Sequence, residues 1–293
     1  MSHMHHHDNA TKNIRTAFVL NMLFTIIEMV GGLYTNSIAI LSDAVHDLGD
    51  TISLGLSWYF QHLSKKKRDN AYSYGYKRFS LLGAIITSII LLVGSLFIVS
   101  ETIPRLINPE DTNTGGMMML AILGVIVNGA AVLKLRKGSS INEKVVSLHL
   151  LEDVLGWVAV LIGSIVMHFW DLPIIDPLLS ASIAIYILVN IYKNLKQSFK
   201  IILQGIPEDI DLEKVVDLIT DMKEIHSVHD CHVWTMDGEY NVFTAHVVLY
   251  GNYDIDFIEK VKSDIKLNLQ NEDIHHITIE FENAENEPCP QDV

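Results

Sequence analysis

The chain is poor in cysteine: Cys231 and Cys289 are the only two in 293 residues, which excludes a disulfide scaffold. It is also poor in charge, with 19% Asp, Glu, Lys and Arg against ~25% for an ordinary soluble domain. Basic residues are scarce at one end. Residues 206–293 hold 5 Lys/Arg and 21 Asp/Glu, −16, whereas residues 1–205 hold 16 and 14, +2, so the net −14 belongs to the tail. Such a tail has no basic face to neutralise phosphates, which excludes nucleic acid as a partner. No secretory leader is visible: MSHMHHHDNATKNIR is polar, and no small-residue cleavage site follows the first apolar run. Two cysteines among 14 histidines suit a reducing compartment for the polar part.

What is present is apolar length: 49% of residues are hydrophobic. Six stretches approach the ~20 residues that cross a bilayer, at about 16–35, 38–62, 79–100, 116–134, 145–168 and 174–192. The second and fifth score poorly, because ionisable residues sit inside them. The cations support keeping them. Lys12 and Arg15, Lys65–Arg68 with Lys77 and Arg78, Lys134–Lys144, and Lys193–Lys200 flank alternate ends, while the intervening loops carry one cation, Arg105. Lys and Arg concentrate in cytoplasmic loops, so both termini are expected in the cytosol, in a cytoplasmic membrane. Three parts follow: a His-containing N-terminus 1–15, a six-helix membrane domain 16–205, and a cytosolic domain 206–293.

A charge at the bilayer centre costs ~3 kcal/mol and marks function by default. The second stretch reads SIAILSDAVHDLGD and the fifth SLHLLEDVLGW, so each holds His-x-x-x-Asp: His46/Asp50 and His149/Asp153. Residues i and i+4 share one helix face. Both pairs lie near mid-membrane on antiparallel helices, and together they offer two imidazoles and two carboxylates, a set suited to tetrahedral Zn²⁺. The absence of sulfur disfavours Cu(I). Asp43 and Asp47 flank this face as candidate partners for the imidazole N–H groups; the alternative for Asp43, nearer the outer end, is that it is solvated. Glu28 has no nameable partner. Gly49, Gly55 and Gly156 are expected to permit close helix packing, and Ser140 with Glu143 forms a plausible capping box for the fifth helix.

The tail pattern predicts helix 211–224, strands 226–235 and 241–250, helix 254–270 and strand 275–282: an αββαβ domain on a small antiparallel sheet. Alternation along the first strand assigns His229 and Cys231 to one face and Asp230, His232 and Trp234 to the other.

These pieces, with the loop AYSYGYKRFSLLGA, DPLLS, LQGIPEDIDL and VHDCHVWTMDGEYNVFTAHVV, resemble the cation diffusion facilitator family, in its zinc-transporting Zn²⁺/H⁺ antiporter branch. The resemblance implies a polytopic α-helical membrane protein of six transmembrane helices, with a ferredoxin- or metallochaperone-like α+β cytosolic domain. It implies a homodimer in the lipid membrane that exports Zn²⁺ by alternating access in exchange for protons. It places the transport site on His46, Asp50, His149 and Asp153, with His at position 46 resembling zinc-preferring members. In the tail, His229, His246, His275 and Glu282 match the family's metal positions, and His232, Glu280 and Cys289 are weaker candidates. Tyr72 and Tyr76 stand where some members carry a further metal site, so none is expected there. The family also suggests that Lys77 or Arg78 with Glu208 or Asp209 ties the dimer together. The alternatives are a broader Cd²⁺, Co²⁺ or Ni²⁺ exporter with the same site, or a membrane metal sensor without transport. No HExxH motif supports a metalloprotease, so the chain is not expected to be an enzyme.

Overall fold

A computed structural model describes residues 19, 22–135, 141–251 and 253–283. The His-containing start, Asn21, the Ser140–Glu143 cap and Cys289 lie outside the described residues. The chain divides into two units, Met1–Tyr59 with Gly83–Asn194, and Phe60–Leu82 with Leu195–Val293.

The apolar stretches form helices α1 (Met22–Thr35), α2 (Ile38–Ser64), α3 (Phe79–Ile107), α4 (Thr114–Leu135), α5 (Ile141–Trp170) and α6 (Ile175–Ile202). Four of them, α3 to α6, are long and apolar enough to cross a membrane. The 27-residue α2 is long enough, but Asp43, His46, Asp47 and Asp50 lower its apolarity. α1, α2, α4 and α5 share a core in which Phe24, Ile40, Met117, Ala121 and Trp157 are almost fully buried. Close packing is visible at Gly49, where a Cβ would collide with Leu91. The expectation fails at Gly55, which has nothing within 4 Å of an added Cβ, and at Gly156, whose nearest neighbour is Asp43 Oδ1 at 3.9 Å.

Two contacts fix where α2 begins. Asp176, fully buried at the start of α6, accepts hydrogen bonds from Ser37 Oγ at 2.5 Å, Ile38 N–H at 2.8 Å and Ala39 N–H at 3.3 Å. It caps the N-terminus of α2 from another helix and satisfies donors that have no intrahelical partner. Arg105 donates to the backbone carbonyl of Asn36 at 2.8 Å and to its side-chain oxygen at 2.9 Å. Asn36 holds the left-handed conformation, φ 54°. Arg105 thus pins the α1–α2 turn.

In the second unit the order is α7 (Leu212–Thr220), β1 (Ile225–Thr235), β2 (Asn241–Leu249), α8 (Ile255–Gln270) and β3 (Ile274–Asn283). α7 stops four residues before its expected end, because Asp221–Glu224 turn into β1, with Ile225 N–H donating to the Met222 carbonyl at 3.1 Å. The sheet order is β1-β2-β3. β1 and β2 are antiparallel, but β2 and β3 are parallel, so the expected antiparallel sheet is mixed. The reason is that α8 carries the chain back to the starting end of β2, as a helical crossover must. Phe243, Ala245, Val247 and Leu249 of β2 pack against Val215 and Ile219 of α7 and Val261, Ile265 and Leu269 of α8. Thr244, His246 and Val248 face the other way.

Asp211 caps α7, its carboxylate accepting from Glu213 N–H at 3.1 Å and Lys214 N–H at 3.3 Å. Asp211→Ala should cost about 1 kcal/mol, read as a lower denaturation midpoint of the tail in the full chain, while Asp211→Asn should retain most of the stability.

Candidate metal centre

His46 and Asp50 stand eight and twelve residues after the first residue of α2, and His149 and Asp153 stand eight and twelve after that of α5. At ~1.5 Å per residue both pairs lie ~12–18 Å along their helices, at matching distances from the two helix starts. Asp50 Oδ2 is 3.0 Å from His149 Nε2 and 3.7 Å from His46 Nε2. The two rings stand edge to face with centroids 6.3 Å apart. Three of the four expected residues therefore meet at one carboxylate oxygen. Asp153 does not join these close pairs. It is 6% exposed and, with His46, Asp43, Gly156 and Tyr186, lines an adjoining cavity of about 250 Å³. Asp153 Oδ2 and His46 Nδ1 are buried and lack hydrogen bonds, as groups reserved for an incoming cation would be.

Behind this site the structure excludes the solvated alternative for Asp43. Asp43 is buried, at 7% exposure, and Glu28 and Asp47 are buried further. Glu28 lies beside Asp47 and Trp157, and its carboxylate oxygens make no hydrogen bond of good geometry. α1 thus brings a third helix to the acidic surroundings of the site. Sequence spacing gives no signal for this, since Glu28 is a single acid with no partner at i±4.

The tail site is more compact. His229, His246 and Glu282 place ligand atoms all within 4.8 Å of one another, the one such group of three among the described residues. Register explains it: His229 pairs with His246 across β1–β2, and His246 with Glu280 across β2–β3. Glu282 is two residues further along the same face. Glu282 Oε1 lies 2.7 Å from His246 Nδ1, and Glu282 Oε2 lies 3.5 Å from His229 Nε2. His229 Nε2 is buried with no hydrogen bond. Two imidazoles and a carboxylate, one nitrogen unsatisfied, fit a zinc ion that needs one further ligand.

That further ligand is on hand in Asp230, which sequence alternation assigns to the opposite face. A bulge between His229 and His232 breaks the alternation, with Asp230 at φ 50°. One inserted residue re-aims its neighbours. Cys231 packs against the apolar core, while Asp230 Oδ2 comes within 3.5 Å of His246 Nε2. Of the weaker candidates, Glu280 lies 3.7 Å from His246 and His232 Nε2 lies 2.8 Å from Asp230 Oδ1. His275 is a correction. It sits seven residues before Glu282 on β3, ~23 Å away along a strand, and its Nδ1 accepts the Asn241 N–H at 3.4 Å. The adjacent HisHis pair marks the start of the strand, not the site. Within the chain Lys77 pairs with Asp237 at 3.9 Å and Lys200 with Glu208 at 3.8 Å.

These features define a membrane carrier of metal cations. The sequence matches the cation efflux transmembrane domain over residues 14–203 and the cytoplasmic domain of cation efflux proteins over residues 207–284. A cadmium, cobalt and zinc/H⁺-K⁺ antiporter of Bacillus subtilis is 33% identical over 286 residues, covering 96% of this chain and 92% of that protein. The metal cation efflux system protein CzcD of Cupriavidus metallidurans is 32% identical, with 99% and 91% covered. The zinc transporter ZitB of Escherichia coli is 30% identical, with 99% and 94% covered. The chain belongs to the cation diffusion facilitator family, and it is a multi-pass membrane protein of cation efflux.

Proposed function

We propose that this chain exports Zn²⁺ across the cytoplasmic membrane in exchange for protons, as a homodimer with both termini in the cytosol, and that it is not an enzyme. The observation that carries the reading is Asp50 Oδ2 lying 3.0 Å from His149 and 3.7 Å from His46 within membrane helices. Asp153, across the adjoining cavity, completes a two-nitrogen, two-oxygen set when the cation arrives. Zinc binds neutral imidazole and ionised carboxylate, so loading the site from the cytosol releases protons. On the outer side, protons compete for the same groups and release the metal. Histidine suits this exchange because an ordinary imidazole titrates near ~6.5. The domain boundaries 1–15, 16–205 and 206–293 divide these tasks. In the tail His229, His246, Glu282 and Asp230 would hold a zinc ion, and an ion held there would stabilise two docked acidic tails by mass action.

The names of the relatives support zinc as cargo, and that of the Bacillus protein supports a second reading with cadmium and cobalt. Position 46 decides between them. His46→Asp replaces a nitrogen with oxygen and should raise Cd²⁺ transport relative to Zn²⁺ several-fold in metal-loaded vesicles. Unchanged selectivity would remove position 46 as the determinant. A metal sensor without transport predicts no reconstituted flux at all.

A further inference from the structure

We propose that the loop between α2 and α3 binds the phosphate of an anionic membrane glycerophospholipid. The loop, residues 65–78, carries Lys65, Lys66, Lys67, Arg68, Lys77 and Arg78 against one acid, Asp69. Asp69, although exposed, is engaged within the loop itself. Its carboxylate accepts from the Tyr76 hydroxyl at 2.8 Å, Ala71 N–H at 2.9 Å and Tyr72 N–H at 3.0 Å. These bonds, the tyrosine's foremost, hold its carboxyl below the usual range. Lys66 is engaged in the same knot, donating to the Tyr76 hydroxyl at 3.2 Å. Gly75 closes the knot at φ 77°, where a Cβ would stand 3.2 Å from the backbone of both Lys66 and Arg68.

The braced loop leaves Lys67 and Arg68 on a cavity of about 580 Å³, shared with Ser73, Tyr74, Lys77 and His276. No carboxylate lines it, although the tail around it is strongly acidic. Lys67 and Arg68 form no ion pair among the described residues. Lys77 is held only at 3.9 Å by Asp237 and lies 4.3 Å over the Tyr240 ring. The cytoplasmic bias of cations accounts for their number. It does not account for three of them converging, beside hydroxyl groups, on one concavity within the ~300–1,000 Å³ of small-molecule sites. A guanidinium fork, ammonium groups and hydroxyls are the donor set for phosphate.

A lipid is favoured over free phosphate because Lys67 and Arg68 follow the last residue of α2 by three and four positions. Even a fully extended chain keeps them within ~14 Å of the helix end, where cation clusters attract anionic headgroups.

The test uses the purified full chain, titrated with phosphatidylglycerol, phosphatidylcholine and inorganic phosphate and read by native mass spectrometry. Phosphatidylglycerol should bind in preference to the other two. Lys67→Gln and Arg68→Gln together should weaken it about tenfold or more, whereas Lys65→Gln, which removes a cation outside the cavity, should change it less than twofold. Zinc uptake in phosphatidylcholine vesicles, equal to the unaltered protein's, verifies that each variant is folded. Should the double variant fail that control, Lys67→Gln and Arg68→Gln singly are each expected to weaken binding severalfold. Equal lipid affinity with and without the two cations, an equal loss on Lys65→Gln, or inorganic phosphate binding as tightly as the lipid would each overturn the proposal.

Discussion

Asp50→Ala abolishes zinc transport, with a fall of at least about a hundredfold in initial uptake by reconstituted vesicles. The expectation rests on one atom. Asp50 Oδ2 reaches both imidazoles, at 3.0 and 3.7 Å, whereas Asp153 reaches neither so closely. Removing the carboxylate takes away one ligand and the one carboxylate oxygen that lies close to both remaining rings. Asp50→Asn keeps the shape but loses the charge, and should also fail. Asp153→Ala should be milder in affinity than Asp50→Ala, because Asp153 enters only when the cation does. Transport retained by Asp50→Ala at more than about a tenth of the normal rate would remove this residue from the pathway.

His246→Ala is expected to have the second largest effect, a loss of at least about a hundredfold in zinc affinity of the tail. His246 sits on the central strand and touches every other member of the site: Glu282 at 2.7 Å, Asp230 at 3.5 Å and Glu280 at 3.7 Å, with the His229 ring at 5.3 Å. Its removal leaves three carboxylates facing one nitrogen. Like charges then repel where a cation had been shared. The measurement is a calorimetric zinc titration of the full chain carrying Asp50→Ala, which silences the membrane site. One zinc per chain should disappear. His275→Ala in the same background should leave the titration unchanged, since His275 belongs to the other end of β3. A loss on His275→Ala equal to that on His246→Ala would contradict the assignment.

The membrane pair was legible because it repeats. His-x-x-x-Asp at i and i+4 places two groups on one face, and the same spacing on a second apolar stretch makes coincidence a poor explanation. The six helices followed from apolar length and alternating cations, and α2 was recoverable as a helix despite its acids because its ends are strongly apolar. What escaped the sequence depends on contacts between elements. Asp176 acts on α2 from a helix 138 positions away, and Arg105 looked like an exception until its acceptors at Asn36 were seen. Glu28 and Asp43 are buried by the approach of α1, α2 and α5, which no spacing encodes. In the tail, strict alternation failed at a single bulged residue, Asp230, and moved it to the face of the site. The parallel pairing of β2 and β3 was implicit in the intervening helix. His275 misled because a histidine before a strand and a histidine on it read alike in one dimension.

The most direct measurement of the central claim is zinc flux in vesicles containing the full chain, with and without an imposed pH gradient. Zinc uptake should be accelerated by an opposed proton gradient, should carry protons the other way, and should vanish in Asp50→Ala. Zinc uptake at the same rate whatever the gradient, with no counterflow of protons, would contradict proton-coupled export at this site.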